Sequence, residues 1–232
     1  MIVISFALPE ESKELAGKLK NRRRSGPAAL PVIDGTLDGR EVVIVHTGMG
    51  MASATARVGS YLEGRAPALW IAAGFGGGLA PDVAVGDMVV VENFSDPSLL
   101  AATASLPAWR GALITTKQVI QTVEQKKDLG RHTGAIVVDM ETAAIQRLCA
   151  PRGIPMLSVR AISDAATQDL PVPASVWFDT ARQRPRPVRL VLYLAAHPGR
   201  IAPFARFVGG VNLARRRLTA FLLAALATLP EK

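Results

Sequence analysis

The chain has 232 residues, 49% of them apolar and only 5% aromatic, enough for one α/β domain with a core of mostly Val, Leu, Ile and Ala. A single cysteine, Cys149, excludes an internal disulfide framework and fits a reducing cytoplasm, and the scattered His46, His132 and His197 lack ligand spacing, so no metal is expected. The net charge of +8 is lopsided: residues 1–181 hold 17 Lys/Arg against 18 Asp/Glu, whereas residues 182–232 hold ten basic residues against Glu231 alone. No secretory leader pattern opens the sequence, so secretion is not expected.

Ile2–Ala7 reads as a buried first strand, followed by Leu8-Pro-Glu-Glu-Ser12 and a helix through about Leu19. Lys18 to Arg24 has the charge of a solvated loop. Thr36-Leu-Asp-Gly39 is a hairpin turn leading into a returning strand, Glu41–His46. Thr47-Gly-Met-Gly50 opens a small-residue helix, Ala52–Leu62, and Leu69–Ala73 is the next strand, running into a glycine-dense loop, Gly74-Phe-Gly-Gly-Gly-Leu-Ala-Pro81. Val85–Val91 is a strand introduced by a turn, residues 92–112 read as irregular, and Ala112–Thr115 as a short strand. Ala135–Asp139 and Met156–Arg160 are further strands, with a helix, Glu141–Ala150, between them. Strand and helix patterns alternate, which predicts a single α/β domain with a mixed, largely parallel sheet flanked by helices. Residues 186–232 form a basic, helical C-terminal extension, read as helices Pro187–Ala196 and Leu213–Leu229.

Two strands end in carboxylates. Val137-Val-Asp-Met-Glu141 and Val159-Arg-Ala-Ile-Ser-Asp164 would place Glu141 and Asp164 side by side, since ligands of an open α/β sheet bind outside the carboxyl ends of its strands. An acid at a strand end is equally the ordinary N-cap or first-turn residue of the following helix. The glycine run at Gly74 has no Walker A spacing and no following Lys; it either lets backbone amides approach an anion or sugar, or serves a tight crossover.

Five segments, in order, resemble the nucleoside phosphorylase superfamily, most of all its methylthioadenosine/S-adenosylhomocysteine nucleosidase branch. They are Phe6-Ala-Leu-Pro-Glu-Glu11, Thr47-Gly-Met-Gly50, Ala73–Pro81 with Val85-Gly-Asp-Met-Val89, Val138-Asp-Met-Glu-Thr-Ala143, and Val159–Asp164. The resemblance implies cleavage of the N-glycosidic bond of a purine, adenine above all, with Asp164 as general acid toward N7 of the base. It implies Glu141 on the ribose hydroxyls, Met140 against the sugar, and Glu11 orienting and deprotonating the attacking water. Arg160 falls at a site-lining arginine position, Val119 and Ile120 beside the base, and Gly74 and Phe75 in the substrate-facing glycine segment. The chemistry suits these types: positive charge grows on the sugar and negative charge on the base, so an anion relieves the first and a proton donor the second. The sequence departs from the family at aliphatic Val119, at Phe75 where a small hydroxyl residue is usual, and across Glu92 to Arg110.

Phosphorylases hold phosphate with arginines near the first strand and the glycine segment. Here the first loop offers Pro9, Glu10 and Glu11, and Trp70–Gly78 has no basic residue, so water is favoured over phosphate as nucleophile. No cofactor is expected; phosphate would be a co-substrate only for phosphorolysis. The resemblance also implies a homo-oligomer and a cytoplasmic enzyme of nucleoside metabolism. The basic tail reads as a packed helix with solvated arginines, or as an interfacial helix pair for an anionic membrane surface; nucleic acid is the least favoured partner. Leu170-Pro-Val-Pro173 and Ala196-His-Pro-Gly-Arg200 resemble hopanoid-associated members of the superfamily, which implies a peripheral position at the inner membrane surface and an adenosylated lipid as substrate.

Overall fold

The computed structural model describes residues 1–27 and 30–229; residues 230–232, the end of the expected extension, lie outside the described residues. In chain order the elements are β1 (Ile2–Phe6), α1 (Pro9–Lys18), β2 (Lys20–Ser25), β3 (Val32–Leu37), β4 (Arg40–His46), α2 (Met51–Leu62), β5 (Leu69–Gly78) and β6 (Met88–Val91). There follow α3 (Pro97–Ala102), β7 (Trp109–Gly111), β8 (Leu113–Thr115), α4 (Val123–Thr133), β9 (Val137–Asp139), α5 (Thr142–Cys149) and β10 (Met156–Asp164). The chain ends with α6 (Ala174–Trp177), the two-residue strands β11 (Phe178–Asp179) and β12 (Arg184–Pro185), α7 (Pro187–Ala196) and α8 (Ile201–Thr228).

The main sheet runs β2-β3-β4-β1-β5-β10-β6-β7, with β9 pairing β5 and β8. Its centre, β4-β1-β5-β10, is parallel, and antiparallel pairs lie toward the edges and at β5–β9. Central strands are buried on both faces, which is why Ile2–Phe6 and Met156–Ala161 are unbroken buried runs and do not alternate. One face packs against α1 and the second half of α8, through Leu15, Leu218, Phe221 and Leu222; the other packs against α2 and α5, through Val58, Tyr61, Ile145 and Cys149. The expected single α/β domain with a mixed sheet is the one observed.

Several boundaries differ from the sequence expectation. Lys20–Ser25 is an exposed edge strand paired with β3, where a charged loop was expected; its pairing is supplied by the neighbour and not by any apolar alternation of its own. Residues 97–102 and 109–111 are ordered as α3 and β7, within the stretch expected to be irregular. The glycine run is no loop: β5 continues through Gly78, paired with β10 on one side and β9 on the other. Helix α8 starts at Ile201, twelve residues before the expected Leu213, and passes straight through Gly209-Gly210. A Cβ at Gly210 would stand 2.9 Å from Val85 Cγ1, so the absent side chain is what lets the helix lie close to the sheet.

Candidate active site

The carboxyl ends of β1, β5, β9 and β10 meet on one side of the sheet and form the floor of a cavity of about 470 Å3. Glu11, Phe75, Val119, Ile120, Met140, Glu141 and Asp164 all line it, so seven of the nine expected site residues come together there. Gly74 and Arg160 do not. They line a void of about 10 Å3 that lies beside Glu11, Phe75 and Glu141.

Glu11 is the third residue of α1. Pro9 at the first turn suits the helix start, and the carboxylate turns back so that the Leu8 amide donates to Oε2 at 2.8 Å. The Phe75 amide donates to Oε1 at 2.8 Å, bridging α1 to β5. Gly74 explains how they approach: a Cβ there would lie 3.0 Å from Glu11 Oε1. Burial raises the pKa of Glu11 above the ordinary carboxylate value, while the Phe75 and Leu8 amides and Arg160 pull the other way.

Glu141 holds the N-cap position of α5 yet makes no capping hydrogen bond. Asp139 caps instead, accepting from the Thr142 amide at 3.0 Å. Glu141 is thereby released from the helix end, and its Oε1 accepts from the Gly50 amide at 2.6 Å, tying the Thr47–Gly50 turn to this cavity-lining carboxylate. Its pKa is pushed up to about 8, by burial first and then by the nearby negative charge of Asp139 and Glu11.

Arg160 is 2% exposed and is spent on structure. Its Nη2 and Nε donate to Asp139 Oδ2 at 2.7 and 3.2 Å, and its Nη1 donates to the Ala72 and Val159 carbonyls at 2.7 and 2.8 Å. It holds β10 to β5 and to the Asp139 cap beneath Glu141. The resemblance implies a site-lining arginine; the side chain lines the small void beside Glu11, Phe75 and Glu141, and not the cavity itself.

Asp164 ends β10, beside a register shift between Ile162 and Asp164 that faces Gly77. Its Oδ1 accepts from the Ser163 hydroxyl at 2.6 Å, and its Oδ2 pairs with the Lys126 ammonium at 2.5 Å. Lys126, on α4, carries no motif signal in the sequence, where a lysine in a charged helical run reads as solvated. Sequence reasoning missed it, along with the capping role of Asp139. Also missed was the apolar mouth, in which Trp177, Phe178, Leu190, Phe204 and Phe207 from the C-terminal segment face the strand ends. These come from residues far apart in the chain, and only the fold brings them together. Gln183 straps that segment down: its Oε1 accepts from the Met49 amide at 2.7 Å and its Nε2 donates to the Met49 carbonyl at 2.9 Å.

The sequence pattern of the Phosphorylase superfamily matches residues 1–98 and 91–192 of the chain. Among solved structures, a Streptococcus pneumoniae MTA/SAH nucleosidase in complex with 8-aminoadenine is similar over 98% of this chain and 99% of its own, with TM-score 0.74 and 23% identity. A putative 5′-methylthioadenosine/S-adenosylhomocysteine nucleosidase from Borrelia burgdorferi bound to adenine is similar over 99% and 100%, with TM-score 0.75 and 18% identity. The futalosine hydrolase of Helicobacter pylori is similar over 98% and 97%, with TM-score 0.72 and 18% identity. With the strand-end carboxylates, the glycine-lined floor and a sequence match running through residue 192, the chain belongs to the phosphorylase superfamily.

Proposed function

We propose that the protein cleaves the N-glycosidic bond of a purine nucleoside, adenine being the favoured base, with water as nucleophile. The observation that carries this reading is the charge of the cavity: Glu10, Glu11, Asp139, Glu141 and Asp164 line it, and no lysine or arginine does among the described residues. Such a wall offers a phosphate dianion no cation to pair with, and a carboxylate that gives up its proton there would attract the positive charge that develops on the sugar. Glu11, fixed by two backbone amides, would orient the water and accept its proton; Glu141 would take the ribose hydroxyls, with Met140 against the ring. Val119 and Ile120 would flank the base, and Asp164 would face its leaving nitrogen. The reaction requires no cofactor, and the relatives bound to adenine and 8-aminoadenine support a purine as the ligand class. Release of free base from a nucleoside panel, with and without phosphate, tests the reading. Phosphate-independent release that falls at least about 100-fold in Glu11→Gln is expected; release only with phosphate would replace it with phosphorolysis.

A second reading follows from the cavity mouth, which is aromatic and aliphatic where the C-terminal segment covers it. A nucleoside carrying a long apolar substituent would fit there, taken from a membrane surface by α7 and the start of α8. Homo-oligomerisation and a cytoplasmic location are part of the same proposal, and sedimentation of the purified protein tests the former.

A further inference from the structure

Lys126 is fully buried, yet its ammonium points at the one acid expected to face the leaving base. Its three hydrogens are all placed: the Ala165 and Gln168 carbonyls accept at 2.8 and 2.7 Å, and Asp164 Oδ2 lies at 2.5 Å. A buried ammonium costs several kcal/mol unless fully paired, so a merely apolar strut would serve stability at least as well here. Lys126 lies outside the cavity lining, behind Asp164. Asp164 itself lines the cavity, with its Oδ2 close to the cavity-lining Gly77, where a Cβ would stand 3.3 Å away. Asp164 thus stands between a proton-bearing amine and the cavity.

We propose that Lys126 is a positioning residue that supplies, through Asp164, the proton the departing base takes up; the proposal rests on the nucleosidase reading given above. As the glycosidic C–N bond breaks, its electron pair goes to the base. Within the ion pair an N–H proton of Lys126 passes to Asp164 Oδ2 as a base nitrogen takes a proton from the Asp164 carboxyl, so that one proton in all moves from the amine to the base. The base leaves neutral, the pair is left as carboxylate and free amine, and the amine regains a proton from solvent once product has gone. The other ionisable groups around the cavity are Glu10 and Glu11 on α1, Asp139 at the end of β9 and Glu141 beside it, with Arg160 of β10 on Asp139. None of these touches Oδ2. The sequence offered no pointer to this residue, because a lysine's partner is set by where α4 docks on the loop after β10.

The test compares kcat and KM of wild type, Lys126→Met and Lys126→Arg on whichever nucleoside the wild type cleaves, from about pH 5 to about pH 8. Both variants are expected to lose about 100-fold in kcat at neutral pH with little change in KM. In Lys126→Met, Asp164 must draw its proton from solvent, so the ratio of variant to wild-type kcat should climb as the pH falls. The ratio isolates the pair, since Glu11 and Glu141 titrate in both proteins. Lys126→Arg keeps a cation and donors but does not release a proton, and it guards against misfolding of the apolar variant. A full rate in Lys126→Arg, or a loss in Lys126→Met that is the same at every pH, would overturn the proposal and leave Lys126 a strut. A wild type that releases no base from any nucleoside would instead overturn the nucleosidase reading, and this inference with it.

Discussion

Glu141 shows how a single position can be named from the sequence while its physics waits for the fold. Its place after a strand is that of an N-cap, and it does hold that place, but Asp139 performs the capping and Glu141 is left facing the cavity. Burial and the neighbouring Asp139 push its pKa up to about 8, against about 4.5 when the chain is unfolded. The folded state therefore keeps a proton that the unfolded chain gives up. The stability that this contributes is complete below about pH 4.5 and is lost progressively as the pH rises through about 8. Glu141→Gln removes the titration while preserving an acceptor for the Gly50 amide. Thermal melts between about pH 5 and about pH 9 should show a smaller alkaline decline for the variant than for the wild type, and parallel curves would refute the assignment. If Glu141 takes the ribose hydroxyls, the same variant should bind nucleosides about 10-fold more weakly above about pH 8, where the wild-type carboxylate is charged, and nearly as well as wild type below it. Glu11, Glu141 and Asp164 could be read from strand ends and motif order. The groups they pair with or sit beside, Lys126 and Asp139 with Arg160, could not, because each lies on a different element.

At the level of elements, the glycine run marks where local pattern and tertiary context part. Gly74 to Gly78 reads as a loop by composition, yet it lies in β5 with none of its glycines at positive φ. The reason for glycine here is crowding. A Cβ at Gly76 would meet Val137 Cγ2 at 2.6 Å and the Val138 carbonyl oxygen at 3.2 Å, so the missing side chains are what allow β9 to pair across β5. Gly76→Ala should cost about 1–3 kcal/mol of stability and also lower activity, because β9 leads directly into Asp139, Met140 and Glu141. Gly59 is the contrast: it sits inside α2 at ordinary φ with nothing within 4 Å of a built Cβ. Gly59→Ala should therefore stabilise by about 0.5–1 kcal/mol. Denaturant midpoints of the two variants, moving in opposite directions, would confirm that glycine has two unrelated uses in one chain. The central strands were readable because two-sided burial makes them continuous apolar runs. The exposed β2 and the helix through Gly209-Gly210 were not, since a neighbouring strand and Val85 decide them.

Over the whole molecule, the C-terminal helices divide into a part that builds the core and a part that leaves apolar surface in solvent. From Ala214 onward, α8 buries Ala214, Leu218, Phe221, Leu222 and Ala225 at helical spacing against the sheet, although the segment begins in Arg215-Arg-Arg217. Ahead of it, Val188, Val191, Leu192 and Ile201 are 72, 65, 65 and 51% exposed, on the same segment that walls the cavity mouth with Leu190 and Phe204. No helix among the described residues is long and apolar enough to cross a membrane, so contact with lipid would be at the surface. At such a surface the excess of basic residues after position 181 would add attraction to anionic headgroups, worth about 1 kcal/mol for each Lys or Arg near it. Leu222→Ala, in the packed half, should lose about 2–5 kcal/mol of stability. The double variant Val188→Ser, Leu192→Ser should change stability by less than about 0.5 kcal/mol per site while releasing the protein from anionic vesicles in a flotation assay. Wild type that ignores anionic vesicles would remove the membrane from the account and leave the apolar mouth to a soluble substrate. Wild type that binds, with a double variant that binds equally well, would shift the contact from α7 to the arginines alone.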